Sequence, residues 1–349
     1  MQKKLIALAV AGLASTAAFA QTNVTIYGIV DMAGAYTHSQ VANTKNQWSI
    51  NSGMLSTSRI GFKGVEDLGN GLKALFTLEY GLLADTSNGI GASTAASAVA
   101  RQQFVGLTGG FGTVVAGHLQ TTGLDFAVAS SALGGSSALG AFNVVGTGSS
   151  IATAAAKSVV NAGARASNAV AYISPSFGGV TLAYNHARLS EAAATLVTNT
   201  SDDYANLVSA SYAGGPVTAG LVYGKISLPG TPASDDNTEW GVRAGYDFGV
   251  AKLQAAYQTS KDKSIGNGKD KKYVVSVSAP IGAKVGVIAE YAALSQDKTA
   301  AADDQKAWTL ASTYSLSKRT TAYAGVVQRN PEGGSNNVTT YAAGLRHSF

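Results

Sequence analysis

The sequence predicts an all-β protein, a sixteen-stranded antiparallel transmembrane β-barrel in one domain. Three observations predict it. Segments of about ten residues alternate apolar and polar side chains. The connections alternate between short turns and long polar stretches. The chain carries an export signal yet has no cysteine.

Export is read from the first twenty residues, MQKKLIALAVAGLASTAAFA. Lys3 and Lys4 precede an apolar run from Leu5 to Ala18, and Ala18 and Ala20 flank Phe19 as a small-residue cleavage site. Residues 1–20 are therefore expected to be a cleaved signal peptide and residues 21–349 a single barrel domain. Without cysteine the exported chain has no disulfide, thiolate metal site or cysteine nucleophile, so burial and backbone pairing must hold it. Its 349 residues include 41 Gly and 15 Tyr but 6 Pro, a composition of extended, turn-rich chains. The formal charge of +5 lies partly in the leader, and no long basic run with interleaved aromatics points to a nucleic-acid partner.

Taken in order, the first alternating segment sets Val24, Ile26, Gly28, Val30 and Met32 against Thr25, Tyr27, Ile29 and Asp31. In LKALFTLEY, Leu72, Ala74, Phe76, Leu78 and Tyr80 oppose Lys73, Thr77 and Glu79. The apolar stripe returns at Trp240–Phe248, Leu253–Tyr257, Tyr273–Ala279, Val285–Tyr291, Trp308–Tyr314 and Thr339–Phe349. Short connections carry turn chemistry: EDLGNG, GGFG, PSFGG, AGGP, PIGA and LSK. Long ones run over His38–Thr57, Leu82–Ala100, Leu119–Ala164, Leu228–Asn237, Lys261–Lys271 and Asn330–Asn337, and the prolines are expected at connections. Eight hairpins at about 41 residues each account for the chain after the leader.

Strands with one apolar face could equally stack as a soluble sandwich. Against that, the apolar stripes end in Tyr80, Phe248, Tyr257, Tyr291 and Tyr314, as girdles at a headgroup boundary do. Closure also pairs every strand edge, which hydrocarbon demands.

At this point the residues resemble the Gram-negative trimeric porins of the beta-proteobacterial and neisserial type. The likeness runs through VTIYGIVDMAG, SRIGFKGVEDLGNGLKALFTLEYG, RQQFVGLTGGFGTVVAGHLQTTGLDF, SNAVAYISPSFGGVTLAYNH and the terminal YAAGLRHSF. It implies an outer-membrane homotrimer with short periplasmic turns, long extracellular loops and a third loop, Leu119–Ala164, folded inward to narrow a water-filled channel. Porins of this type carry arginines on the wall facing that loop, at positions matching Arg59, Arg101 and Arg165 here. Alternation independently puts Arg59, Gly61 and Lys63 opposite Ile60 and Phe62, so both cations are expected to face water. For Arg101 and Arg165 alternation decides less, and a place at the rim stays open. Where many family members read G-R-Q, this chain has Gly117, His118 and Leu119, which removes a fixed charge.

The third loop holds one carboxylate, Asp125, and one cation, Lys157. Enterobacterial relatives set acidic loop residues against the arginines; here that side is nearly bare. The expected constriction is Arg59, Lys63, Arg101, Arg165 and Asp125, net positive and anion-favouring. Tyr341, Leu345 and Phe349 match the family's C-terminal signal for the outer-membrane assembly machinery. Lipids and lipopolysaccharide are the implied surroundings. The acid pairs Asp202-Asp203, Asp235-Asp236 and Asp303-Asp304 read as solvated loop carboxylates rather than metal sites, and Lys261, Lys263, Lys269, Lys271 and Lys272 as one loop cluster. No cofactor is expected. With no G-x-S-x-G or H-E-x-x-H and four scattered histidines, an enzyme is not expected either. A porin specific for phosphate or organic anions, and a surface adhesin or structural barrel, remain the alternatives.

Overall fold

The computed structural model describes residues 23–40, 44–87, 90, 100–134, 137–145, 165–188, 204–227, 237–262, 268–296, 304–331 and 337–349; the expected leader, residues 1–20, lies outside them. The chain runs through β1 (Asn23–Ser39), β2 (Gln47–Ser52), β3 (Arg59–Gly69), β4 (Leu72–Gly81), β5 (Ala100–Gly109) and β6 (Gly112–Gln120). Two short helices follow, α1 (Thr122–Val128) and α2 (Ala141–Val144). The chain returns to the wall with β7 (Arg165–Ile173), β8 (Val180–Arg188), β9 (Tyr204–Gly214), β10 (Val217–Ser227), β11 (Asn237–Asp247) and β12 (Lys252–Asp262). It ends with β13 (Gly268–Ile281), β14 (Val285–Gln296), β15 (Gln305–Ser315), β16 (Thr320–Pro331) and β17 (Val338–Ser348).

Every neighbouring pair is antiparallel, and the sheet closes where Ile29–Ser39 of β1 pairs with Val338–Ser348 of β17. Gly28 and the terminal Phe349 complete the seam, each backbone N–H donating to the other's carbonyl at 3.1 Å. Seventeen segments fill sixteen strand positions, because β2 and β3 share one. Met32–Thr37 of β1 pairs with β2, and Asn23–Ile29 pairs with β3. The connection expected over His38–Thr57 therefore contains a strand segment, β2, and the last two residues of β1. What interrupts the wall is the short excursion Gly53–Ser58, started by Gly53 at φ 81°. Asp31 is fully buried and fixes the excursion by accepting from the Leu55 and Ser56 amides and the Tyr323 hydroxyl.

The expected turns join β3 to β4, β5 to β6, β7 to β8, β9 to β10, β13 to β14 and β15 to β16. Pro280 and Pro331 belong to strands, in the last two positions of β13 and β16, where little ladder follows. The barrel inverts the usual globular arrangement. Val24, Ile26, Val105, Leu221 and Leu310 are exposed on the outside, as are Phe248, Tyr291 and Tyr314 of the expected girdles. Buried side chains such as Val274, Ala292 and Leu207 face inward.

Candidate functional site

After β6 the described residues 121–134 and 137–145 turn into the barrel. Thr121, in extended conformation, caps α1 by accepting from the Leu124 amide at 3.3 Å. From there the segment is fastened to the wall almost strand by strand. Asn185 of β8 accepts from the Thr122 amide at 2.7 Å, and the Thr122 hydroxyl bonds Ser209 of β9. Gly241 of β11 leaves room for the Phe126 ring, which a Cβ there would meet at 2.8 Å. Gln254 of β12 donates to the Ala129 carbonyl at 3.3 Å, and Ser276 of β13 accepts from the Ala132 amide at 3.0 Å. On the far side Glu290 of β14 accepts from the Phe142 amide at 2.7 Å, while Thr309 of β15 donates to the Leu139 carbonyl at 2.6 Å. Lys272 of β13 lies over the Phe142 ring at 3.9 Å. The Leu139 amide donates to the Met54 carbonyl, tying the segment to the Gly53–Ser58 excursion.

The remaining wall carries a cluster of cations. Arg59 opens β3, and below it the Tyr27 ring covers Gly61, with Lys63 at 5.3 Å from that ring. Glu79 of β4 joins the group: it accepts from Arg101 Nε at 2.7 Å and from the Tyr27 hydroxyl at 3.0 Å. This ion pair is nearly buried on both sides. Arg59 also feels the charges of Arg101, Glu79 and Arg346 of β17, and Arg165 feels those of Arg101, Glu79, Arg59 and Asp125. The structure thus brings the three predicted arginines together.

Two β-bulges explain why alternation decides so little for two of them. Between β4 and β5 the register slips where Glu79 pairs with Gln102 but Tyr80 with Ala100, so Arg101 reaches Glu79 out of phase with the outward Val105. Between β6 and β7 it slips again after Gly117, and Asn168 adopts φ 51°. Arg165 then stands beside Gln120. Arg346 is the residue that sequence reading passes over. It alternates with Leu345 and His347 on β17, so the stripe that marks the outer face there already marks Arg346 as inward.

Asp125 sits on α1 and accepts from Gln120 Nε2. Asp125 is exposed to the lumen, yet partial desolvation by the surrounding wall raises its pKa above the ordinary value, while the Gln120 bond and Arg165 oppose that shift. Arg59, Lys63, Arg101, Arg165 and Arg346 therefore meet the carboxylates of Glu79 and Asp125, an excess of positive charge. Arg165 Nε and Arg346 Nε are buried without a hydrogen-bond partner.

His118, which stands where many porins have an arginine, bonds the Ser167 hydroxyl through Nδ1 at 2.9 Å. Lys269, Lys271 and Lys272 stand on β13, so they are not loop residues, and Lys272 is buried. Asp304 accepts from the Gln296 amide and the Ser295 hydroxyl at the top of β14. Lys157, Lys263, Asp202, Asp203, Asp235, Asp236 and Asp303 lie outside the described residues. At the seam the Phe349 ring packs over Gly28, in phase with exposed Leu345 and Tyr341.

A sequence model described as Gram-negative porin matches residues 7–334. Outer membrane porin protein 32 of Delftia acidovorans is 34% identical over 337 residues, spanning 93% of this chain and 89% of that protein. Among solved structures, the anion-selective porin from Comamonas acidovorans superposes with a TM-score of 0.77 at 26% identity, over 94% of this chain and all of that one. OmpT of Vibrio cholerae in its trimer form shares the fold at TM-score 0.66 and 15% identity, over 94% of this chain and 99% of that one.

Proposed function

The chain belongs to the Gram-negative porin family and is an outer-membrane β-barrel porin, and from that premise we propose that its lumen passes small hydrophilic solutes by passive diffusion with a preference for anions. The observation that carries the preference is the unequal charge of the two inner walls. Arg59, Lys63, Arg101 and Arg165 stand on one, joined by Arg346, and the inward segment opposite offers Asp125 alone among its described residues. Among the described residues Arg165 and Arg346 form no ion pair, so their charge stays available to a passing anion. The likeness to an anion-selective porin of Comamonas acidovorans points the same way.

This reading makes the protein a channel, not a catalyst, in line with relatives that are porins. It also takes the chain as a homotrimer, as OmpT forms a trimer, exported by removal of residues 1–20 and surrounded by lipid and lipopolysaccharide. Tyr341, Leu345 and Phe349 serve as the segment presented to the assembly machinery, supported by their shared outward stripe at the barrel seam.

Reversal potentials across a planar bilayer in a potassium chloride gradient test the preference. A bias of about 1 kcal/mol gives roughly a fivefold chloride preference, and it shrinks as salt rises because charges more than about 8 Å apart are screened near physiological strength. Cation selectivity would overturn the reading.

A further inference from the structure

Away from the arginine group, β11 carries a cation of its own. We infer that Arg243 anchors a binding site for small aliphatic monocarboxylates, seated in a luminal cavity between α1 and the wall of β8 to β11; this rests on the proposed reading of the barrel as an open aqueous pore.

Arg243 pairs in register with Gly220 on one side and Ala256 on the other. Its stem lies flat over Gly220, where a Cβ would come within 2.7 Å of Nε. Among the described residues no carboxylate reaches salt-bridge distance of it. Its Nε is nonetheless buried without a hydrogen-bond partner.

The cavity beside it holds about 310 Å³, at the small end of ligand sites. Thr181, Ser209 and Ser211 line it with hydroxyls, and Phe126 and Ala129 supply an apolar side from α1. A planar guanidinium beside hydroxyls matches a carboxylate, whose two oxygens take parallel N–H donors. The Phe126 ring favours a short hydrocarbon tail over a bare inorganic ion, because burying methylenes there releases water. Asp125 borders the same cavity, so a second carboxylate on the ligand would meet a like charge. The chemistry selected is therefore one carboxylate on a short aliphatic chain.

The test uses the full-length barrel reconstituted in a planar bilayer, with butanoate added to potassium chloride and binding read from the concentration dependence of ligand-induced current noise. Butanoate is expected to produce saturable noise, and butanedioate to bind at least about tenfold more weakly. Arg243→Gln should weaken butanoate about tenfold or more while ion-conducting steps persist and chloride preference falls only by the loss of one luminal positive charge. Arg243→Lys should restore only part, since it keeps the charge and loses the fork. If Arg243→Gln does not assemble, Gly220→Ala, which crowds the Arg243 stem, must weaken butanoate instead. No saturable noise in the native protein, or noise indifferent to Arg243→Gln or Gly220→Ala, overturns the site. Absence of ion-conducting steps in the native protein overturns the pore reading as well, so the two failures are distinct.

Discussion

Glu79 shows how one residue sets both order and charge in the lumen. Its carboxylate holds Arg101 and the Tyr27 hydroxyl at once, so it positions one cation while cancelling one unit of the excess. Glu79→Gln should therefore raise the chloride preference in reversal-potential measurements and also cost about 1–3 kcal/mol in urea unfolding of the barrel in lipid, since Arg101 loses its partner. Asp125 gives a pH dependence with a definite sign. Its pKa is raised, so on acidification it takes up a proton at a pH above that of an ordinary aspartate and the lumen becomes more positive. Chloride preference should rise as pH falls through that raised value, and Asp125→Asn should abolish this component of the rise. At this scale the sequence was half legible. Arg59 and Lys63 keep strict alternation and can be placed without a structure, whereas Arg101 is itself the extra residue of one bulge and Arg165 lies just before another, and neither bulge leaves a mark in hydrophobic period.

Among elements, the inward segment is the least readable and the most consequential. Its small, low-charge sequence shows neither α1 nor α2, because each helix is short and is held by the wall instead of by its own propensity. The strands, by contrast, are legible: an outward stripe of Val, Leu and Tyr every second residue is what hydrocarbon requires of any wall. Even so, strand ends run past the sequence reading. The ladders of β12 and β13 extend through Asp262 and from Gly268, which turns a supposed lysine loop into wall. Attachment of α2 rests on Glu290 and Thr309, two luminal groups that bond backbone of the segment. Replacing both, Glu290→Gln with Thr309→Val, should loosen the α2 end by about 1–3 kcal/mol. The expected signature is larger spontaneous flicker in single-channel records, with a reversal potential that stays on the chloride side.

For the molecule as a whole, the seam between first and last strands is the point at which a sheet becomes a barrel. Gly28 and Phe349 close it with two reciprocal backbone bonds, and the ring lies where only a glycine leaves space. Deleting Phe349, or substituting Gly28→Val, should lower the yield of folded, heat-modifiable barrel on semi-native gels, with the valine variant acting by steric exclusion alone. Closure was legible in an even strand count and a terminal aromatic in phase with Tyr341; the shared position of β2 and β3 was not, because the Gly53–Ser58 excursion reads as loop. The stitching of the segment to the wall has one last consequence. These attachments are neutral hydrogen bonds, which dissolved ions weaken little, so bore and charge answer to different variables. Concentrated electrolyte ought to blur which ions this channel prefers without altering the size of the largest sugar that slips through it.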